Sequence, residues 1–177
     1  MAHVLISCRA FIALVFVLSV AGKLRGRHAF LEFTDSVKAL APRLPVRSTA
    51  VAVVATEAVI VVLLALPVTP LVGFVLATGL LGAFTVAIGA SVRQGRQVAC
   101  RCFGTASSAP VGLAHLVRNA FLLAGSLTGM LVAPAAGADA GGAPGVTTSL
   151  VFGAAAAGVT LLTDDISRLF RPLSQEG

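Results

Sequence analysis

The 177-residue sequence contains no tryptophan and no tyrosine, and only 11% of its residues are charged. A soluble globular domain carries about a quarter of its residues as charges, so polar surface here is too scarce to cover a water-facing globule, and a soluble enzyme is excluded. Without Trp and Tyr the usual aromatic belt at a membrane interface is missing, and a membrane reading has to rest on run length and charge placement. Acidic residues are the scarcest charge: seven Asp and Glu stand against thirteen Lys and Arg, for a net charge of +6. The basic residues cluster between apolar runs, which points to acidic lipid headgroups as counter-ions and away from nucleic acid.

What the sequence does have is apolar length: 57% of its residues are hydrophobic, and the mean hydropathy is +0.98. Val4 to Gly22 matches the length a helix needs to cross a hydrocarbon core, interrupted only by Arg9 near its start. The Ala21-Gly22 end resembles a signal-peptide processing site, but the stretch has no clear basic n-region and the run is long, so it reads as a retained anchor. Thr49 to Leu66 is a second span carrying the single acid Glu57, and Pro67 and Pro70 bracket a short hairpin into a third span, Leu71 to Val92. His115 to Val132 is a fourth span and Val146 to Leu162 a shorter fifth. The expected fold class is an all-α polytopic membrane bundle of four core transmembrane helices plus a fifth. Residues 1–133 form the core, 134–145 a Gly/Ala/Pro linker, and 146–177 the fifth helix and tail.

Between spans one and two, Phe30, Phe33, Val37 and Leu40 recur at helical spacing among basic residues, which predicts an interfacial amphipathic helix ending before Pro42. With five spans, the loops at 23–48 and 93–111 share a side with the carboxyl tail, and these three segments hold eleven of the thirteen basic residues. The positive-inside rule makes that side cytoplasmic and places the amino terminus outside.

The chemistry centres on Cys100-Arg101-Cys102-Phe103-Gly104, in the connection between spans three and four. A thiol acts as a nucleophile only as its thiolate, and Arg101, with Arg96 close in sequence, favours that anion. Cysteines two positions apart lie roughly 6 to 7 Å apart at their α-carbons in extended chain, so a disulfide between them needs a tight bend and is easily reduced. Gly104 and the small residues after it can supply the bend. The alternatives are an incidental pair of free thiols, or part of a zinc site with His115, which falls short of the four ligands that a structural zinc wants. Cys8, near the other end of span one, is separated from the pair by most of the membrane and reads as a small apolar side chain.

Two charges inside spans, Arg9 and Glu57, are expected at levels only ~6 Å apart and so to pair across adjacent helices, a structural ion pair in preference to a proton relay or substrate site. Lys23 is expected to reach the headgroups, and Arg118 and Asn119 to tie span four to the cysteine loop. Gly125 and Gly129 form a small-xxx-small stripe for close helix approach.

Lys23-Leu24 after span one, the lone Glu57, the Cys100 to Gly104 loop and Arg118-Asn119 occur in an order that resembles the MauE family of methylamine-utilisation proteins, related to DoxX-like membrane proteins. The resemblance covers roughly residues 4 to 133, and its most specific element is the Cys-x-Cys-Phe-Gly loop. It implies a small membrane protein that exchanges electrons through Cys100 and Cys102 with a thioredoxin-like partner, supporting disulfide formation or maturation of an exported client protein. Family members do this for the small subunit of methylamine dehydrogenase. No cofactor motif is readable, and a quinone has no support in the sequence; no second cysteine pair is available for an internal relay, so the partner must be external. Oxidative maturation of an exported client would place the thiols outside, whereas the basic loops argue for the cytoplasmic side. Competing readings are a non-catalytic membrane scaffold or assembly factor, with or without zinc, and a small-molecule carrier, which the lack of an internal repeat disfavours.

Overall fold

The computed structural model describes residues 2–94 and 113–134, together with residues 147, 151, 153–155 and 158, and all the regular secondary structure among them is helical. The helices are α1 (Ala2–Leu24), α2 (Arg27–Leu40), α3 (Val46–Ala65), α4 (Pro70–Arg93) and α5 (Leu113–Val132). At 1.5 Å per residue the 23 residues of α1 reach about 35 Å, enough for a hydrocarbon core of about 30 Å. α1, α3 and α4 are each long and apolar enough to cross a membrane, and Leu116–Val132 of α5 is a shorter apolar stretch. The chain is a polytopic helical membrane protein. The termini follow local chemistry: α2 stops at Leu40, directly before Ala41-Pro42, and α4 begins with Pro70 in its first turn, where a missing N–H costs nothing. Between α3 and α4 the connection is four residues long, and the Thr69 hydroxyl closes it by donating to the Leu63 carbonyl at 2.9 Å.

Packing arranges α1, α3, α4 and α5 in a ring, each touching two neighbours, while α2 lies against α3, α1 and α4. The shared core is built from Ile12, Val15 and Phe16 of α1, Ile60 and Leu64 of α3, Phe74, Ala77 and Leu81 of α4, and Leu122 of α5. Outward-facing Val51, Val59, Val62, Val72, Val86 and Phe121 stay exposed around the ring, an apolar perimeter that lipid tails cover and water would not. α2 seats Phe33 and Val37 against Ala50 of α3, as its periodicity predicts, and leaves His28, Leu31, Asp35 and Lys38 exposed.

The glycine stripe on α5 serves two neighbours. Gly125 faces the Phe11 ring of α1, and Gly129 lies so close to the Phe74 ring of α4 that an added Cβ would overlap it. The stripe therefore admits two phenyl rings from different helices, not one neighbouring backbone. Between them Ser126 accepts or donates a 2.6 Å bond with Thr78 and donates to the Phe74 carbonyl at 3.2 Å, so α4 and α5 are held by polar as well as apolar contact.

The expected linker, beyond residue 134, and most of the fifth run lie outside the described residues. Those of the run that are described are helical, and Gly153 sits against α1, where a Cβ would meet Ala10 at 2.8 Å and the Ser7 carbonyl at 2.9 Å.

Candidate functional site

Side chains on a helix tilt toward its amino terminus, so Lys23, one residue from the end of α1, points back into the bundle instead of out toward the headgroups. This corrects the expectation that Lys23 snorkels: its relative exposure is 1%. The ammonium donates to Ser19 Oγ, one turn back on α1, at 2.8 Å, and to both carboxylate oxygens of Glu57 on α3 at 2.5 and 2.8 Å. The two carboxylate contacts form a fork from a single ammonium nitrogen, with Ser19 on another side of it. Ser19 Oγ in turn donates to Glu57 Oε1 at 3.2 Å, closing a small ring of hydrogen bonds across α1 and α3. Phe33 of α2 roofs it, with the Lys23 nitrogen 4.7 Å from the ring centroid.

Arg9 takes no part in this cluster, which corrects the predicted pairing of Arg9 with Glu57. α1 and α3 run antiparallel, so Arg9, near the start of α1, is level with the end of α3, and Glu57 lies about 10 Å back along the helix from Leu64. Arg9 Nε donates to the Leu64 carbonyl at 2.8 Å, and its Nη2 to the carbonyls of Ala65 and Leu66 at 3.1 Å each. Leu64 and Ala65 carry last-turn carbonyls for which the helix has no N–H of its own, Leu66 is the residue that caps it, and a guanidinium near a helix carboxyl end is also favoured by the dipole. We expect Arg9→Met to destabilise the protein by about 2 kcal/mol, the scale of charge-assisted hydrogen bonds. Arg9→Lys should recover only part, since one ammonium cannot span three carbonyls as a planar fork does. Thermal unfolding midpoints in detergent check both; a wild-type midpoint for Arg9→Met would refute the capping role.

On α5, Arg118 and Asn119 are both buried. Asn119 Nδ2 donates to Thr85 Oγ1 of α4 at 3.2 Å, so it ties α5 to α4. Arg118 lies within electrostatic reach of Lys23, which brings the Arg118-Asn119 element and the Lys23–Glu57 pair to the same end of the bundle. The cysteine loop, Cys100, Arg101, Cys102, Phe103 and Gly104, and with it any tie to α5, lies outside the described residues. It belongs to the segment 95–112 that joins the end of α4 to the start of α5. Cys8 is half-buried against the main apolar core, near the opposite end of α1.

The sequence reading missed Ser19 and Phe33 as members of the polar cluster. The signal for Ser19 was present, a hydroxyl four residues before a lysine on an apolar helix, which puts both on one face. Phe33 was legible only as a core position of α2, because its place over Lys23 depends on how α2 folds back.

No curated protein and no solved structure gives a significant match to the chain. Residues 1–132 match the profile of a family described as methylamine utilisation protein MauE, a span that takes in all five helices, the buried Lys23–Glu57 pair, the cysteine loop and Arg118-Asn119. The chain belongs to the MauE family.

Proposed function

We propose that this protein is a membrane-bound thiol–disulfide exchange protein, passing electrons between the Cys100/Cys102 pair and a thioredoxin-like partner in support of client disulfide formation or maturation. What supports the reading is that the Cys-x-Cys-Phe-Gly sequence lies within the family-matched region, in the connection between α4 and α5, and that the flanking helix ends are at the same end of the bundle as Lys23 and Arg118.

In the oxidising direction toward this protein, one cysteine thiolate attacks the partner's disulfide. The partner's S–S bond breaks as a mixed disulfide forms, and the partner's freed sulfur leaves as a thiolate. The neighbouring cysteine then attacks the mixed disulfide, closing Cys100–Cys102 and releasing the partner as a dithiol, with two electrons and two protons transferred. The reverse sequence oxidises the partner. Arg101 favours the attacking thiolate.

The sidedness of the loop follows from charge. Arg25, Arg27, Lys38, Arg43, Arg47 and Arg93 are all exposed at the Lys23 end, whereas Arg9 is the basic residue near the other end among the described ones. The positive-inside rule then assigns the cysteine end to the cytoplasm.

Thiol trapping tests the exchange. One of Cys100→Ser and Cys102→Ser should accumulate a mixed disulfide with a partner of thioredoxin size, and the other should form none, each losing the redox-dependent mobility shift of the native chain. Membrane-impermeant maleimide should label the pair only from the cytoplasmic face, and only after reduction. Thiols that never change redox state in intact cells would sink the proposal.

A further inference from the structure

We propose that the groove between the α1–α2 elbow and the start of α3 is a binding site for one anionic phospholipid. Its phosphate is held between Arg27 and Arg47, and its acyl chains lie over Leu24, Phe30 and Leu31. The groove has a volume of about 650 Å³, within the size range of small-molecule sites. Its walls are predominantly apolar, and Leu24 and Leu31 are 61% and 60% exposed there.

The charge in the groove selects the occupant. Lys23 reaches its floor, but Glu57 already balances that ammonium. Neither the Lys23–Glu57 ion pair nor the contact between His28 Nδ1 and Glu32 includes Arg27 or Arg47. Two arginines at the mouth of an apolar groove match a headgroup phosphate, which guanidinium groups bind through paired N–H donors. A soluble anion would leave the apolar walls bare, and a neutral lipid would leave the arginines without a counter-charge. An anionic phospholipid meets both demands. Its depth also fits, because the groove lies where an apolar membrane helix gives way to an amphipathic one, the level of the boundary between acyl chains and headgroups. The site is independent of the cysteines and stands or falls apart from the redox reading.

The chain has no tryptophan, so Leu31→Trp places a single fluorophore in the groove. Full-length protein with this reporter, in bilayers of phosphatidylcholine, is titrated with phosphatidylglycerol brominated on its acyl chains and, separately, with brominated phosphatidylcholine. We expect phosphatidylglycerol to quench with an apparent affinity on the order of tenfold higher, the scale of two arginines acting on a headgroup. Arg27→Gln/Arg47→Gln should abolish that preference, while Arg25→Gln/Arg43→Gln, which removes the same charge from outside the groove, should keep it. Native mass spectrometry of the protein without the reporter should find one retained phosphatidylglycerol per chain. Equal quenching by both lipids would overturn the site. So would equal loss in both double variants, which means diffuse surface attraction, or release of the lipid by millimolar inorganic phosphate, which means a phosphate site.

Discussion

Glu57→Ala should destabilise the protein by about 3–5 kcal/mol, the cost of leaving one member of a buried ion pair without the other. Glu57 is fully buried in α3 and accepts from the Lys23 ammonium through both carboxylate oxygens. Its removal takes away the carboxylate that balances the ammonium, in a buried part of the bundle where the positive charge of Arg118 lies nearby. Replacing both charges with apolar side chains of similar size, Lys23→Met/Glu57→Leu, should recover most of the loss, because it removes the desolvation cost along with the attraction. Double-mutant cycles on unfolding in detergent separate the structural alternatives. Lys23 and Glu57 should couple strongly, while Arg9→Met and Glu57→Ala should add within about 0.5 kcal/mol, as sites with no shared partner do. Strong coupling of Arg9 to Glu57 would contradict the geometry.

The double variant has a further use. If the pair serves only to hold α1 against α3, Lys23→Met/Glu57→Leu should keep the thiol-trapping pattern of the native chain. A stable variant that no longer forms the mixed disulfide would give the pair a part in the exchange itself.

Gly129→Ala should cost about 1–3 kcal/mol, the usual range for overpacking, although the change adds only one methyl group. The added carbon overlaps the Phe74 ring, which is wholly buried in the core shared by the four ring helices. Interiors are close-packed, so α4 and α5 must separate or Phe74 must leave its rotamer. Phe74→Leu in the Gly129→Ala background should restore part of the stability, since a shorter side chain vacates the contested volume. Gly82→Ala, where a Cβ meets nothing within 4 Å, should be neutral or mildly stabilising through helix propensity. Thermal unfolding of the three variants checks the order, and a Gly129→Ala protein as stable as Gly82→Ala would show that the close approach of α4 and α5 is absent.

Much of the architecture was legible before any coordinates. Run length located the membrane helices to within a few residues, the Pro67 and Pro70 pair located the tight turn, and the 30, 33, 37, 40 periodicity located α2 and its buried face. Each of these signals is local, a property of about one to six helical turns. Glu57, Arg118 and Asn119 were legible one by one, because charges and amides inside apolar runs stand out against their surroundings, whereas Lys23 was grouped with them only through the order of elements that resembles the MauE family. Their partners were not legible. The expected Arg9–Glu57 pair failed on registry: counting from estimated span ends carried an error comparable with the separation it was meant to measure. The snorkelling expectation for Lys23 failed because it treated the helix end as a lipid-facing position, whereas α2 folds back and covers it with Phe33.

Composition and apolar run length determined that the chain is an all-helical membrane protein and which residues in it are chemically exceptional, since the cost of placing charge and bare backbone in hydrocarbon depends on residue type alone. Which charges meet was decided by the tertiary structure. The antiparallel setting of α1 against α3 and the backward tilt of helical side chains gave Glu57 to Lys23 and left Arg9 to the carbonyls at the end of α3, because a partner must be within about 3 Å and only packing places two helices to that accuracy.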